Sequence, residues 1–381
     1  MEKLSNRLFS PLTQKRLRNF RRIKRAWWSL MAFAGIFVFC MCADLVCPCD
    51  PRAVVDPSTL EKYRKPTVVK AYDIRTARFS VGSDGSVYDY EGPADVLERC
   101  REQARAGGNF AVEGYSVQVK QREGYRRVLL SPKVPPAVSE TVGPPAEVSF
   151  PFPPVKEHPF GIDAGGRDVY ARVVHGLRIS LLFGLALSLS GLFFGLVVGA
   201  IEGYFGGAAD LMLQRFTEIW STMPFLYVMI FIGSTVGRSF TVLLICYAIF
   251  NWIAVSYYMR AEFLRLRKCA FVEAAKVHGL SSLRIMFVHV LPNALTPIIT
   301  LFPFLLMGAI GSLAALDFLG FGLPPMTPSC GELMQEAQQF RFAWWLVLFP
   351  AAALFVVMLL TVLIGEGLRD AFDPRQKSRL E

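Results

Sequence analysis

The stretch FVEAAKVHGLSSLRIMFVHVLPNA, residues 271–294, lies between two long, mostly apolar runs. Phe271–Val277 has the spacing of a short amphipathic helix. Ala274 and Ala275 are small, so another protein can approach this helix closely. Gly279 falls where such a helix ends on a residue with positive φ. A second helix is expected from about Ser281, with the serine as its N-cap, and Pro292 marks entry into the next apolar run. A helix–turn–helix tied at both ends to long apolar segments has the form of a mechanical lever. An amphipathic loop helix can also lie flat on a membrane. That accounts for an apolar face, but not for small residues followed by glycine at this interval.

Outward from this loop, the uncharged run Ser239–Met259 precedes it and Val290–Leu316 follows it. Ala26–Ala43, Ile179–Ile201, Ile219–Gly237 and Phe342–Gly365 are similar. A helix that crosses a bilayer needs about 20 mostly apolar residues. One such run can be a buried helix of a large soluble protein; six in one chain cannot reasonably be. The composition agrees, being 53% hydrophobic with a mean hydropathy of +0.37, too apolar for an ordinary soluble domain. The net charge of +10 does not indicate nucleic acid, because the basic residues flank the apolar runs instead of forming one patch. The expected fold is therefore an all-α polytopic membrane protein with six transmembrane helices.

Lysine and arginine in short loops set orientation. Basic residues crowd the segment before Ala26, the loop at 260–289 and the tail after Gly367, whereas the short loops on the other side carry only Arg238 and Arg341. Both termini and the loop at 260–289 are thus expected to face the cytoplasm. Trp27, Trp28, Trp344 and Trp345 sit at span ends as interfacial aromatics do. The first run has a long basic leader and no small-x-small cleavage site after it, and reads as an uncleaved anchor. The expected organisation is a basic tail at 1–25, a first span at 26–46, an extracytoplasmic insertion at 47–157, a core with five spans at 158–366 and a second tail at 367–381. In the insertion, hairpins are expected with arms Ala77–Val81 and Ser86–Tyr90, and Tyr115–Val119 and Arg126–Leu130. Their turns would be Ser83-Asp84-Gly85 and Arg122-Glu123-Gly124. Asp95–Ala106 reads as a helix, giving a small α+β unit that ends in a proline-rich stretch from Pro135 to Pro154.

The chain offers little for catalysis. It has no Gly-Lys dipeptide, hence no phosphate-binding loop of the G-x-x-x-x-G-K-[ST] type. Its four histidines, His158, His175, His278 and His289, are scattered across both sides. No G-x-S-x-G is present. Cys40, Cys42, Cys47 and Cys49 resemble a zinc tetrad in spacing. The first pair lies within the first span, however, and the second pair either forms a disulfide or stays free. No catalytic, metal or cofactor site is expected. Glu202, Arg215, Glu218, Asp317 and Glu366 are charges near span ends, where pairing explains them, as for Arg215 with Glu218. Gly184, Gly191, Gly195 and Gly199 allow close helix approach.

Glu273-Ala274-Ala275, Gly279 four residues later and Leu291-Pro292 together resemble the EAA loop of binding-protein-dependent ABC importer permeases. Further segments are similar to the dipeptide, oligopeptide and nickel branch: His158-Pro159-Phe160-Gly161-Ile162-Asp163 with Gly166-Arg167-Asp168-Val169, then Gly203–Gly207 with Asp210 and Arg215. The stretches Leu316–Pro324 and Leu368–Pro374 extend the likeness. The long insertion, Gly331-Glu332-Leu333 and the Ala371–Pro374 ending look closest to the Yej-type (microcin C and oligopeptide) permeases. Phe160 and Ile162 replace the family's usual leucine and threonine. The resemblance implies a type I importer fold and a peptide importer. It assigns Glu273, Ala274, Ala275, Gly279, Leu291 and Pro292 to a coupling loop that docks on an ATPase. It also implies a second permease, two ATP-binding subunits that hold ATP and Mg, and an extracytoplasmic binding protein. Two rivals fit less well. A secondary transporter would want inverted repeats and a midplane carboxylate, and a membrane-bound enzyme or a structural membrane anchor for the extracytoplasmic domain would want a catalytic constellation.

Overall fold

The computed structural model describes residues 18–372 apart from 48, 64–65, 73–75, 93, 107–109, 123, 134–137 and 146–147. Most of the basic N-terminal tail, the C-terminal residues from Asp373, Pro135, Pro136 and the hairpin residue Glu123 lie outside the described residues. The chain divides into two compact units, one formed by Met1–Pro57 with Ser149–Glu381 and the other by Ser58–Val148.

The first helix, α1 (Lys24–Met41), opens the larger unit. In the smaller unit, β1 (Pro66–Tyr72) pairs antiparallel with β6 (Val138–Pro145). The strands β2 (Ala77–Gly82), β3 (Val87–Glu91), β4 (Tyr115–Arg122) and β5 (Tyr125–Pro132) form an antiparallel sheet in the order β3-β2-β5-β4. Both expected hairpins are present, with Gly85 and Gly124 at positive φ in their turns. The helix α2 (Ala94–Arg105) contributes Val96, Cys100 and Ala104 to a core with Phe79, Val81, Val128 and Leu130 of the sheet. The β1–β6 ladder is not apparent in the sequence, because its two strands lie some seventy residues apart and one ends in Pro144-Pro145.

The larger unit continues with α3 (Val169–Phe205), which at about 1.5 Å per residue is about 55 Å long and exceeds the apolar run Ile179–Ile201 at both ends. The third run does not form one straight helix over Ile219–Gly237. It is split into α4 (Gly207–Ser221) and α5 (Phe225–Thr235), bent by 69°. Pro224 explains the break, since it has no N–H and disfavours helical geometry at Met223. The hydroxyls of Ser221 and Thr222 donate to the carbonyls of Glu218 and Ile219 in the last turn of α4. The fourth span is α6 (Phe240–Asn251) and α7 (Ile253–Leu266), joined at Trp252 and running past Met259 into charged sequence. Then follow α8 (Ala270–Val277), a turn at Ser282–Arg284, a π-helical segment at Ile285–Val290, α9 (Leu291–Phe318), α10 (Cys330–Gln339) and α11 (Trp345–Phe372).

Four spans are long and apolar enough to cross a bilayer, and the bent α4–α5 pair makes a fifth. The remaining run, α1, has 18 residues that include Lys24 and Arg25, which leaves it short of the usual length. It packs on α11, where a Cβ at Gly367 would lie 2.0 Å from the Ala26 Cβ.

The centre of the bundle is the contact between α3 and α7. Gly191, Gly195, Gly199 and Gly203 follow each other at i, i+4 spacing along α3. A Cβ at these positions would lie 2.5 Å from Asn251 Nδ2, 2.5 Å from Val255 Cβ, 2.4 Å from the Ser256 carbonyl oxygen and 2.5 Å from Phe263 Cβ. The two backbones are therefore nearly in contact, as small-residue stripes in membranes allow. Gly184 serves α9 in the same way, 2.8 Å from Ile310 Cγ1. Gly199→Ala is expected to cost about 1–3 kcal/mol through overpacking. Gly308→Ala, on α9 with nothing within 4 Å of the added methyl, is expected to be neutral or slightly stabilising. Thermal unfolding of the two variants in the same detergent checks this, and equal melting temperatures would contradict it.

Candidate functional site

The helix α8 begins after Cys269, and Glu273 lies in its first turn, where a carboxylate suits the helix dipole. Its end is set by hydrogen bonds. The Gly279 N–H donates to the Lys276 carbonyl at 2.9 Å and the Leu280 N–H to the Ala275 carbonyl at 3.2 Å. This pattern closes a helix over a residue in the left-handed region, and Gly279 has φ +72°. A Cβ added to Gly279 would meet nothing within 4 Å. Conformation, not crowding within this chain, selects glycine here.

The two faces of α8 differ. Val272 and Ala275 are buried, in one cluster with Tyr204 of α3, Met259 and Phe263 of α7, and Ile285 and Val290 of the π-helical segment. Leu291 packs against the same cluster. Glu273, Ala274, Lys276 and Gly279 are exposed, together with Phe271 and the 88% exposed Val277. The two alanines thus have different tasks. Ala274 leaves the outer face low, whereas Ala275 is small because it packs inward. Ser281 stands at an N-cap but makes no side-chain cap hydrogen bond. Pro292 is exposed in the first turn of α9 and contributes no side chain to the cluster. Before it, the Leu291 N–H donates to Met286, five residues back, and Asn293 Nδ2 donates to the His289 carbonyl at 2.8 Å. The wide turn and the asparagine share the hydrogen bonds that a proline at this position disturbs.

A second polar cluster lies at the opposite end of α3. Arg172, fully buried, donates to Asp163, to Glu336 Oε1 at 3.0 Å and to Glu332 Oε2 at 2.6 Å. Asp163 also accepts from the Arg167 backbone N–H at 2.7 Å. Asp168 caps α3, accepting from the Ala171 N–H at 3.0 Å and from His158 Nδ1 at 2.5 Å. Trp345 Nε1 of α11 donates to the Ile162 carbonyl at 3.2 Å. The segment 158–168, α3, α10 and α11 are thereby joined around one guanidinium. Burial pushes the Glu336 carboxyl above the usual range, while Arg172 opposes that shift. Beside it, Asp317 accepts from the Leu323 N–H at 2.7 Å and from the Ser329 hydroxyl, and Ser329 caps α10.

Near α8, Arg260 holds Asp210 through two hydrogen bonds of 2.6 and 2.8 Å. Arg215 pairs with Glu218 at 2.6 Å, as their spacing predicts. Glu202 is buried, with Thr217 Oγ1 3.4 Å from its Oε1. Sequence reasoning passed over Arg172, Glu336 and the Asp210–Arg260 pair. The available signal was Glu332 and Glu336 at i, i+4 on one helix face, opposite an arginine at the head of a span. Among the described residues, no group of three or more His, Cys, Asp or Glu side chains is arranged to hold a metal ion, and the eight cysteines are free.

Residues 191–378 match the family described as binding-protein-dependent transport system inner membrane component. The peptidoglycan transport system permease protein YejE of Agrobacterium fabrum is 35% identical over 382 residues, covering 97% of this chain and 95% of that protein. The chain belongs to this permease family. It is similar over a comparable length to the inner membrane ABC transporter permease protein YejE of Escherichia coli, at 35% identity with 96% and 98% coverage. The dipeptide transport system permease protein DppC of Alkalihalophilus pseudofirmus is 39% identical over 226 residues, 59% of this chain and 74% of that protein. The two longer matches take in the Ser58–Val148 unit, so this permease shares its insertion with those relatives.

Arg172→Met would take the central guanidinium from the buried Asp163 and the half-buried Glu332 and Glu336 and leave only Arg167, 3.2 Å from Asp163, to balance them, at a cost of about 3–5 kcal/mol. Carboxylates whose folded pKa is raised weigh against the folded state when ionised, and that cost falls as pH drops through the raised value. The melting temperature of Arg172→Met is therefore expected to lie well below wild type at pH 8 and closer to it at pH 5. A pH-independent difference would contradict the assignment.

Proposed function

We propose that this chain is one of two permease subunits of an ATP-driven peptide importer in a bacterial inner membrane. In this reading α8 and the turn at Gly279 form the coupling site for an ATPase subunit. ATP and Mg are bound by two such partners and not by this chain. An extracytoplasmic binding protein delivers the substrate. The tails and the loop at 260–289 lie in the cytoplasm, and the insertion of residues 47–157 lies outside. The observation that carries the proposal is the two-sided character of α8. Its outer face is low, partly apolar and ends in a bare glycine, as a surface made for a groove would. Its inner face is packed into α3, α7 and the start of α9, so a force on it reaches three spans. The basic residues around this loop support its cytoplasmic placement, and the names of the relatives support peptides as cargo.

The mechanism follows from that packing. Closure of the ATPase pair moves two docked helices, and each transmits the displacement through its apolar cluster to the spans. For ATP to shift the population from 1:99 to 99:1, it must favour one packing by about 5.5 kcal/mol. A loose joint at α8 would dissipate that difference. The bidentate Arg260–Asp210 pair stiffens the joint by fixing α4 to α7 beside it.

Gly279→Asp is expected to abolish peptide uptake while the subunit remains in the membrane, because an aspartate meets both the φ restriction and the docked surface. Gly279→Ala, which adds only the conformational cost of about 1–2 kcal/mol, should retain partial uptake. The check is uptake in cells together with recovery of the ATPase and second permease on the tagged chain. Normal uptake by Gly279→Asp would remove the coupling assignment. Purification of the wild-type chain alone, under conditions that preserve other membrane complexes, would favour a secondary transporter.

A further inference from the structure

A cavity of about 180 Å³ lies between the α5–α6 turn and the α9–α10 loop, lined by Arg238, Asp317, Glu332 and Gln335 among others. It sits at the Asp317 end of α9, and the helix is about 40 Å long, so the cavity is a bilayer's thickness from α8. In an importer that is the side on which substrate arrives. The volume equals roughly six waters, room for the end of a peptide and not for a long chain.

Most of the wall is fixed. Asp317 is committed to the Leu323 N–H and Ser329, and Glu332 Oε2 is held by Arg172. Two lining groups are not committed. Arg238 is exposed and makes no ion pair or hydrogen bond among the described residues, and Gln335 makes no hydrogen bond among them. Gly320 leaves room for the Gln335 amide, since a Cβ there would lie 2.7 Å from Gln335 Nε2. The cavity therefore combines one free guanidinium, a carboxylate fixed from behind and a free carboxamide. A guanidinium matches the planar geometry of a carboxylate, while Glu332 and Gln335 suit N–H donors. A ligand end that bears both kinds of group is a terminal carboxylate with N–H groups close beside it.

We propose that this cavity binds the carboxyl-terminal end of a short peptide, with Arg238 on the terminal carboxylate and Glu332 and Gln335 on N–H groups. The assignment rests on the peptide-import reading above and adds a substrate contact on this subunit. Its sequence trace is Arg238 itself, one of two cations in the short loops on that side.

The test uses the whole transporter, with its second permease, ATPases and binding protein, in proteoliposomes. Uptake of tri-alanine is compared with uptake of its carboxy-terminal amide. Wild type is expected to prefer the free acid, and Arg238→Gln to lower free-acid uptake about tenfold, the loss of one charge-assisted contact, with little effect on the amide. Arg238→Lys should keep part of the preference, and it serves as the readout if the glutamine variant does not assemble. An acid-to-amide ratio equal to that of wild type in either variant would overturn the cavity assignment and leave the peptide reading standing. A wild-type transporter that takes up no peptide would overturn the reading and the cavity together.

Discussion

The most extensive helix contact in the bundle is that of α3 to α7, and the rest of the molecule is arranged around it. Lipid tails are as apolar as leucine, so apolar burial does little to hold helices together inside a bilayer, and dispersion between closely spaced backbones must do more. Four glycines on α3 bring its axis within reach of the main chain of α7 and of the end of α6, with the Ser256 carbonyl almost touching Gly199. The two helices then act as one body. Since α8 hangs from the end of α7 and packs on the end of α3, that body reaches from the loop to the far side of the membrane. A bulkier stripe would hold the two backbones apart and leave a compliant contact between them.

The ion pairs of this body lie at its two ends, as a bilayer favours. At one end Arg172 gathers Asp163, Glu332 and Glu336 and ties α3 and α10 to the segment before α3. At the other, Arg260 and Asp210 tie α4 to α7. The first cluster, and Glu202 beside the second, keep unpartnered atoms. Arg172 Nε, Arg167 Nη1, Glu336 Oε2 and Glu202 Oε2 find no partner among the described residues. Buried ion pairs of this kind add little net stability over an apolar packing. Their effect is to fix which helices neighbour one another, and to make separation costly unless the charges are regrouped.

Much of this was legible in the sequence, for reasons that can be named. The apolar runs announced the spans, the glycine spacing announced the α3 contact, and Gly279 announced the helix end, because each depends on local pattern alone. The break at Pro224 was written in the residue but hidden by the uninterrupted apolarity around it. The α6–α7 span runs past its apolar limit because Arg260 pairs with Asp210, fifty residues away, which no window of sequence contains. Arg172, Glu332 and Glu336 stood in or beside recognisable motifs, yet their pairing spans some 160 residues. The opposite roles of Ala274 and Ala275 depended on which side of a short helix faced the bundle, a matter of tertiary placement.

The packing of α1 on α11 has a consequence for biogenesis. Ala26 fits against Gly367, so α1 finds this neighbour only when the more than three hundred residues between them have been made. Contacts of such sequence separation form late and slowly. During synthesis, Lys24 and Arg25 and a short apolar stretch must keep α1 in the bilayer while some three hundred residues, including a folded insertion, follow it. The contact is thus left open until α11 has been made. A truncated product, lacking α11, would expose the face of α1 around Ala26 to the membrane, a mark by which quality control can tell an unfinished permease from a finished one.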